Sequence, residues 1–315
     1  MIKYTLGAFF TLYIALAWSN GDTQTKYKTE NVIIMIMDGP RYSETWGDST
    51  HQHIPHMAND MAEHGVVYTN FRNNGPTYTC SGHTAIATGV YQRIDNTGKK
   101  YPKNPTIFQY FLKATGKSRK AAYVIASKDK LAILTDTKKR KWREQYRPYS
   151  DCGVNGFRTG YRSDLETYKS SLEILKKDKP NLVLINFRQP DSWGHAANYE
   201  RYLSSMKKTD EYIYKIFEFI RIDPYYRGKT TIFVTNDHGR HLDGHKDGFV
   251  SHGDNCEGCR KINCFAYGPD FKKGIITDEA RELIDIPITT AKLLNIEFNK
   301  KAKGQLMTEL FVETK

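Results

Sequence analysis

Hydrophobic positions along the chain follow two patterns that alternate. Continuous apolar runs rich in Ile and Val predict buried strands, and the clearest are residues 32–37, 182–187 and 230–235. Between them lie segments with apolar residues near helical spacing, of which residues 199–222 form the longest. Strands that alternate with helices predict an α/β fold with a mostly parallel central sheet and helices on both faces.

Weaker patterns complete the predicted series. Gly65 and Gly116 end two of the predicted helices. Residues 136–162 are polar, basic and aromatic without a clear period, and we interpret them as a long excursion that forms a lid near the mouth of a site. No repeat or linker is visible, so residues 20–315 are expected to form a single domain. The other predicted helices are residues 54–65, 106–115, 163–177 and 285–295, and the other predicted strands are residues 66–71, 121–126 and 262–267.

The start of the chain is typical of an export signal. Residues 1–3 contain a lysine, residues 4–18 form an apolar run, and residues 15–17 read Ala-Leu-Ala. The run is short for a membrane span, which needs roughly 20 residues. We therefore expect residues 1–19 to be a signal peptide and the mature protein to be exported, either periplasmic or secreted, with no stable membrane span after cleavage. An uncleaved anchor is the alternative.

The chain is basic, with a formal net charge of +12. Part of this charge is clustered in residues 138–143. We favour a solvated surface as the interpretation of that cluster, and the functional alternative is attraction for anionic substrates or an anionic surface. The sequence contains no recognisable nucleic-acid-binding module, so charge alone does not indicate nucleic acid as a partner.

Five cysteines leave at least one thiol unpaired within an exported chain. Cys256, Cys259 and Cys264 lie close together in the sequence. They could form a disulfide, provide half of a zinc site, or be plain loop cysteines. The absence of a second Cys-x-x-Cys pair argues against a zinc finger, and we favour a disulfide among the three without assigning the pairing.

Acidic and imidazole side chains follow the three clearest strands. Asp38 follows the first strand, Asp191 and His195 follow the second, and Asp237 and His238 follow the third. Functional loops of such sheets leave the carboxyl ends of the strands, so these residues are expected at one edge. Carboxylate and imidazole together are the ligands that zinc and similar divalent ions prefer.

Two further features extend this constellation. His252 is the best candidate for an additional imidazole ligand, with His241 and His245 as competitors. Thr79 precedes a short predicted helix that Gly89 ends, and a hydroxyl at a helix entrance is well placed to hold phosphate or sulfate. An isolated Thr there would be an N-cap without chemistry, but three acid-bearing strand ends favour a functional role.

The ordered set of motifs resembles the alkaline phosphatase superfamily, most closely its nucleotide pyrophosphatase/phosphodiesterase-like branch, and it spans residues 31–295. The resemblance implies an alkaline-phosphatase-like (sulfatase-like) fold. It also implies one metal held by Asp191, His195 and His252, and another held by Asp38, Asp237, His238 and the Thr79 oxygen. The matching segments are Asp38, Pro76-Thr77-Tyr78-Thr79 with His83, residues 190–195, residues 237–239 and His252.

By that resemblance the chain is a metal-dependent phosphodiesterase or phosphatase with two divalent ions, zinc by preference, and a small anionic phosphate ester as substrate. Thr79 would attack phosphorus as a metal-activated alkoxide, and water would hydrolyse the resulting phospho-threonine. Sulfatases need Cys or Ser at the nucleophile position for conversion to formylglycine; Thr79 cannot be converted, and Cys80 and Ser81 are out of register with Gly89. The alternatives are a phosphoryl transferase and a non-catalytic metal-binding protein.

Overall fold

The computed structural model describes residues 1–2 and 27–313, so almost all of the predicted signal peptide lies outside the described residues. A nine-stranded sheet forms the centre of the described part, in the order β4-β3-β5-β1-β6-β7-β2-β8 with β9 beside β2. Its strands are β1 (Asn31–Met37), β2 (Val66–Arg72), β3 (Ala122–Ala126), β4 (Tyr149–Cys152), β5 (Leu182–Phe187), β6 (Thr230–Thr235), β7 (Lys261–Tyr267), β8 (Ile275–Thr277) and β9 (Arg281–Glu282).

The sheet is mostly parallel, as the sequence predicts. β1 lies at its centre and pairs in parallel with β5 on one side and β6 on the other. β7 runs antiparallel to both of its neighbours, β6 and β2. The remaining pairs are parallel, so the predicted α/β fold class is confirmed.

Helices cover both faces of this sheet. Along β1, Ile34 faces the layer that contains α1, α2 and α7, whereas Met35 faces the layer that contains α3 and α5. Both side chains are fully buried, which explains why the strand is a continuous apolar run. The α-helices are α1 (Thr79–Thr88), α2 (Ile107–Thr115), α3 (Asp164–Asp178), α4 (Gln189–His195), α5 (Tyr199–Ile222), α6 (Glu257–Arg260) and α7 (Asp285–Leu293).

The helix boundaries follow the predicted signals. Ser163 and Glu166 form a reciprocal capping box at the start of α3. Gly89 and Gly116 end α1 and α2 in the left-handed conformation. The long helix α5 has the predicted bounds.

Two segments differ from the prediction. Residues 54–65 do not form an α-helix: a π-helical turn at Met57–Met61 continues into a 3₁₀ turn at Ala62–His64, and the segment ends at Gly65 as predicted. Residues 136–162 are not an irregular excursion throughout, because they contain β4, which pairs with β3 at the sheet edge. The first two residues of β4 are exposed, so the strand lacks the apolar run that would have revealed it.

All five cysteines carry free thiols, so the favoured disulfide among Cys256, Cys259 and Cys264 is not formed in the structure. Cys264 lies in β7 and is buried in a hydrophobic core with Ile262 and Ala266. Cys256, by contrast, is only half-buried and lies in the loop before that strand. Among the residues described, no helix is both long enough and apolar enough to cross a bilayer.

The central position of β1 gives a stability prediction. Ile34→Ala should lower the free energy of unfolding by about 2–5 kcal/mol, because it removes a fully buried side chain from a packed core. Ile276→Ala is the matched control, since the Ile276 side chain is 69% exposed and its truncation should change stability little. Urea unfolding of both variants is the measurement, and equal losses would contradict the assigned core.

Candidate active site

Three buried carboxylates meet at the carboxyl edge of the sheet. Asp38 follows β1, Asp237 follows β6, and Asp191 lies in the short helix α4 that begins two residues after β5. Because β5, β1 and β6 are adjacent and parallel, their carboxyl ends bring the three acids together. Each acid is at most 4% exposed, so water screens their mutual repulsion poorly.

Imidazoles join these acids in two overlapping groups. The potential ligand atoms of Asp191, His238 and His252 lie within 4.8 Å of one another, and so do those of Asp38, Asp237 and His238. His238 belongs to both groups, so the two groups form one continuous site.

Hydrogen bonds orient the two buried rings toward the acids. His238 Nδ1 donates to the Gly239 carbonyl at 3.0 Å, and His252 Nδ1 donates to the Thr77 carbonyl at 2.7 Å. A carbonyl can only accept, so both Nδ1 atoms carry the proton that each ring retains when neutral. Burial lowers the pKa of His238 well below its ordinary value, which keeps its Nε2 lone pair free.

His195 and Thr79 complete the group of predicted residues. His195 Nε2 lies 3.1 Å from His252 Nε2 and 3.3 Å from Asp191 Oδ1, although its side chain is 48% exposed. Thr79 is the first residue of α1 and is buried at the same edge. The structure thus places Asp38, Thr79, Asp191, His195, Asp237, His238 and His252 at one site, and their roles as ligands and nucleophile stay predictions.

The polar atoms of this site fit divalent cations. Both carboxylate oxygens of Asp237 and the Nε2 atom of His238 are buried without a hydrogen-bond partner among the described residues. Orphaned buried polar atoms are costly unless another group satisfies them. Asp237 Oδ2 and His238 Nε2 lie 3.3 Å apart without hydrogen-bond geometry, a spacing suited to two ligands of one metal.

The electrostatics of the three acids are uneven. Burial, followed by the charge of Asp237, raises the pKa of Asp38 to about 6. Burial also opposes ionisation of Asp191, but Lys128, His195 and His252 outweigh it and hold the pKa of Asp191 well below its usual range. Cations at this site therefore decide which carboxylates carry charge.

Lys128 is the central residue that sequence reasoning missed. It lies just beyond the carboxyl end of β3 and is 2% exposed. Its ammonium donates to Asp38 Oδ1 at 2.9 Å, to Asp191 Oδ2 at 2.6 Å and to Thr79 Oγ1 at 3.0 Å. The signal that could have revealed it is its place after the predicted strand 121–126.

Other missed residues hold the site in position. Asn186 in β5 donates from Nδ2 to Asp38 Oδ2 at 2.9 Å and to His83 Nε2 at 3.1 Å. Arg240, which is fully buried, donates to Asp191 Oδ1 at 2.6 Å. These contacts fix one carboxylate oxygen of Asp38 and one of Asp191.

A glycine brings α1 close to the loop after β6. A Cβ atom at Gly82 would lie 2.4 Å from the Asp237 carbonyl oxygen, so only glycine permits this approach. The contact holds the helix that begins at Thr79 against the loop that carries Asp237 and His238. The competitors of His252 lie elsewhere: His241 and His245 both approach Asp254.

Comparisons with known proteins agree with this architecture. The family model described as "Metalloenzyme superfamily" matches residues 30–298. Among curated proteins, GPI ethanolamine phosphate transferase 1 of Candida glabrata is 22% identical over 87% of this chain. The match covers 31% of that relative, so the chain spans about a third of its length.

Solved structures with the same fold include two enzymes. A phosphonate monoester hydrolase from Silicibacter pomeroyi aligns with a TM-score of 0.66 and 13% identity, covering 89% of this chain and 76% of that one. Murine ectonucleotide pyrophosphatase/phosphodiesterase 5 aligns with a TM-score of 0.65 and 14% identity, covering 90% and 100%. At these identities the similarity shows the fold alone, and membership of the metalloenzyme superfamily follows from the family model.

The ion cluster around Lys128 gives a second prediction. In metal-free protein, Lys128→Met should lower the free energy of unfolding by about 3–5 kcal/mol, because it leaves Asp38 and Asp191 without their shared cation. Added zinc should recover part of that loss by supplying positive charge to the same carboxylates. Lys120→Met is the matched control: Lys120 pairs with Asp178 at the surface, so its loss should have little effect. A metal-free Lys128→Met protein as stable as wild type would contradict the cluster.

Proposed function

Because the chain belongs to the metalloenzyme superfamily, we propose that it is a metal-dependent hydrolase of phosphate esters, a phosphodiesterase or phosphatase, with Thr79 as its nucleophile. The observation that carries this proposal is the position of the Thr79 hydroxyl. It is buried at the start of α1 and contacts the same ammonium group that binds Asp38 and Asp191.

The carboxylate and imidazole donors of this site fit metal binding. Asp191, His195 and His252 would hold one divalent ion, and Asp38, Asp237, His238 and Thr79 the other, with zinc preferred by the carboxylate and imidazole ligands. Two such cations would supply Lewis-acid stabilisation of the charge on the phosphoryl oxygens.

The chain's own residues define the chemical step. The Thr79 hydroxyl gives up its proton to water and Oγ1 attacks phosphorus, the bond from phosphorus to the leaving oxygen breaks, and the departing alkoxide takes a proton from water. Lys128 Nζ, 3.0 Å from Thr79 Oγ1, favours the deprotonated hydroxyl by placing a positive charge beside it. Water then cleaves the phospho-threonine and regenerates Thr79.

Anion binding at the start of α1 is more restricted than the sequence suggests. The Cys80 amide donates to Asn96 Oδ1 at 3.0 Å, so it is already occupied. Lys128 and bound cations would therefore supply the positive charge that this amide does not offer to the phosphoryl group. Together with the net charge of +12 this supports a small anionic phosphate ester as the substrate of an exported enzyme.

A phosphoryl transferase is the second candidate. The similarity to a GPI ethanolamine phosphate transferase favours it, because a phospho-threonine can be resolved by an alcohol as well as by water. Product analysis with added acceptor alcohols separates the two activities. A phosphorylated acceptor as the main product would establish transfer, and inorganic phosphate or a free monoester would establish hydrolysis.

The nucleophile assignment gives a third prediction. Thr79→Ala should reduce turnover of p-nitrophenyl phosphate esters by about 10⁴-fold or more, because no covalent intermediate can form. The amount of metal bound per chain, measured by elemental mass spectrometry, should stay close to that of the wild type, because the acids and imidazoles remain. Thr115→Ala, a matched change at an exposed position, should keep wild-type rates. Full activity in Thr79→Ala would exclude the proposed mechanism.

Substrate class is tested with the wild-type protein. Phosphate monoester, phosphate diester and sulfate ester of p-nitrophenol are compared with and without zinc. We expect cleavage of at least one phosphate ester, and the faster of the two defines a phosphodiesterase or a phosphatase. Cleavage of the sulfate alone would overturn the role given to Thr79.

A further inference from the structure

A second cluster of metal-binding side chains lies outside the candidate active site. The ligand atoms of His241, Asp254, Cys256 and Cys259 all lie within 4.8 Å of one another. Two thiols, an imidazole and a carboxylate are the donors of tetrahedral zinc sites. We propose that these four side chains bind a metal ion of their own, a structural zinc, that fastens the loop between β6 and β7.

The imidazole of His241 is prepared for this role. Its Nδ1 lies 3.0 Å from Asp247 Oδ1, and the carboxylate can only accept, so Nδ1 carries the proton. Nε2 then carries an unprotonated lone pair, and this atom is buried without a hydrogen-bond partner among the residues described. A metal-binding histidine commonly donates its other ring N–H to a carboxylate, as His241 does here.

The spacing of His241 and Asp254 is that of two ligands. His241 Nε2 lies 3.2 Å from Asp254 Oδ2 but makes no hydrogen bond with it. Two nitrogen or oxygen ligands at about 2.0 Å from a tetrahedral zinc are about 3.3 Å apart. The two atoms therefore stand where a shared ion would hold them.

The two thiols come from one turn of chain. Cys256 caps the short helix α6, and Cys259 lies three residues later inside it. Both sulfurs lie within 4.8 Å of each other and of the other two ligand atoms. The sequence shows only this one Cys-x-x-Cys pair; the folded loop supplies the other two donors.

Backbone packing brings the two halves of the cluster together. The Gly239 amide donates to the Cys259 carbonyl at 2.8 Å, and a Cβ atom at Gly239 would lie 2.0 Å from the Gly258 carbonyl oxygen. The chain on either side of the loop is thus in direct backbone contact. This contact places His241 close to α6 and its cap residue Cys256.

Neighbouring charges are compatible with a bound cation. Asp254 Oδ2 also accepts from His245 Nε2 at 2.9 Å and from Lys246 Nζ at 2.7 Å. Both of these side chains are about half exposed and can turn into solvent when a metal takes the oxygen. Zinc binding would release the two thiol protons to solvent, so the site carries three negative donor charges against one dication.

Two hydrogen bonds through Thr77 connect the proposed zinc site to the candidate active site. Thr77 Oγ1 donates to the Asp254 carbonyl at 2.8 Å, and the Thr77 carbonyl accepts from His252 Nδ1. A metal bound to Asp254 would therefore restrict the motion of the loop segment that contains His252. The inference does not depend on the proposed function, because it concerns different ligands.

The test uses the intact chain reconstituted with zinc or with cobalt(II). We expect wild-type protein to bind one more zinc per chain than the Cys256→Ser/Cys259→Ser double variant. The cobalt form should show a strong thiolate-to-metal charge-transfer band in the near ultraviolet and tetrahedral visible bands. The double variant should lose both.

Two controls separate this site from the others. Cys152→Ser is the matched thiol change; Ser can keep the bond to the Val124 carbonyl that Cys152 Sγ makes, and the variant should retain the band. Asp237→Asn alters the candidate active site and should also retain it. Loss of activity in Asp237→Asn with the band intact would therefore test the proposed function separately.

The wild-type measurements decide the matter even if the double variant does not fold. Cobalt-loaded wild-type protein without a thiolate band would overturn the proposal. So would intact-mass and alkylation data that show Cys256 and Cys259 joined as a disulfide in the native protein. Zinc-dependent protection of both thiols from alkylation, together with the band, would establish the site.

Discussion

Mutual repulsion among three buried carboxylates is the constraint on which this structure depends. Asp38, Asp191 and Asp237 are brought together by the parallel pairing of the three central strands, and burial leaves them little help from water. The fold must supply positive charge at that edge. Lys128 supplies part of it, and the unsatisfied atoms of Asp237 and His238 indicate where cations supply the rest.

This arrangement connects stability to chemistry. The ammonium that neutralises Asp38 and Asp191 is the one that contacts the Thr79 hydroxyl. A group needed to hold the acids together therefore also contacts Thr79, the nucleophile that we propose. Arg240 and Asn186 reduce the freedom of the same acids by occupying one oxygen of each.

Much of this architecture is readable from the sequence, because buried parallel strands are continuous apolar runs and their carboxyl ends carry Asp38, Asp191 and Asp237. The strand β4 was not readable, since an exposed edge strand needs no apolar run. Lys128 was missed because its place beside Asp38 and Asp191 depends on β3 lying next to β5, an order that local patterns do not contain. Only the two thiols of the proposed zinc site could be recognised as a pair in the sequence, because His241 and Asp254 come close to them only when the loop is folded.

The loop between β6 and β7 has a consequence for how relatives of this protein can diverge. Its two ends belong to paired antiparallel strands, with Thr235 opposite Cys264, so the sheet fixes the distance between them. Insertions or deletions within the loop leave strand register unchanged. Changes confined to the middle of this loop, residues 242–250, can therefore alter the surroundings of His252, while Asp237 and His238 at its start stay packed against α1.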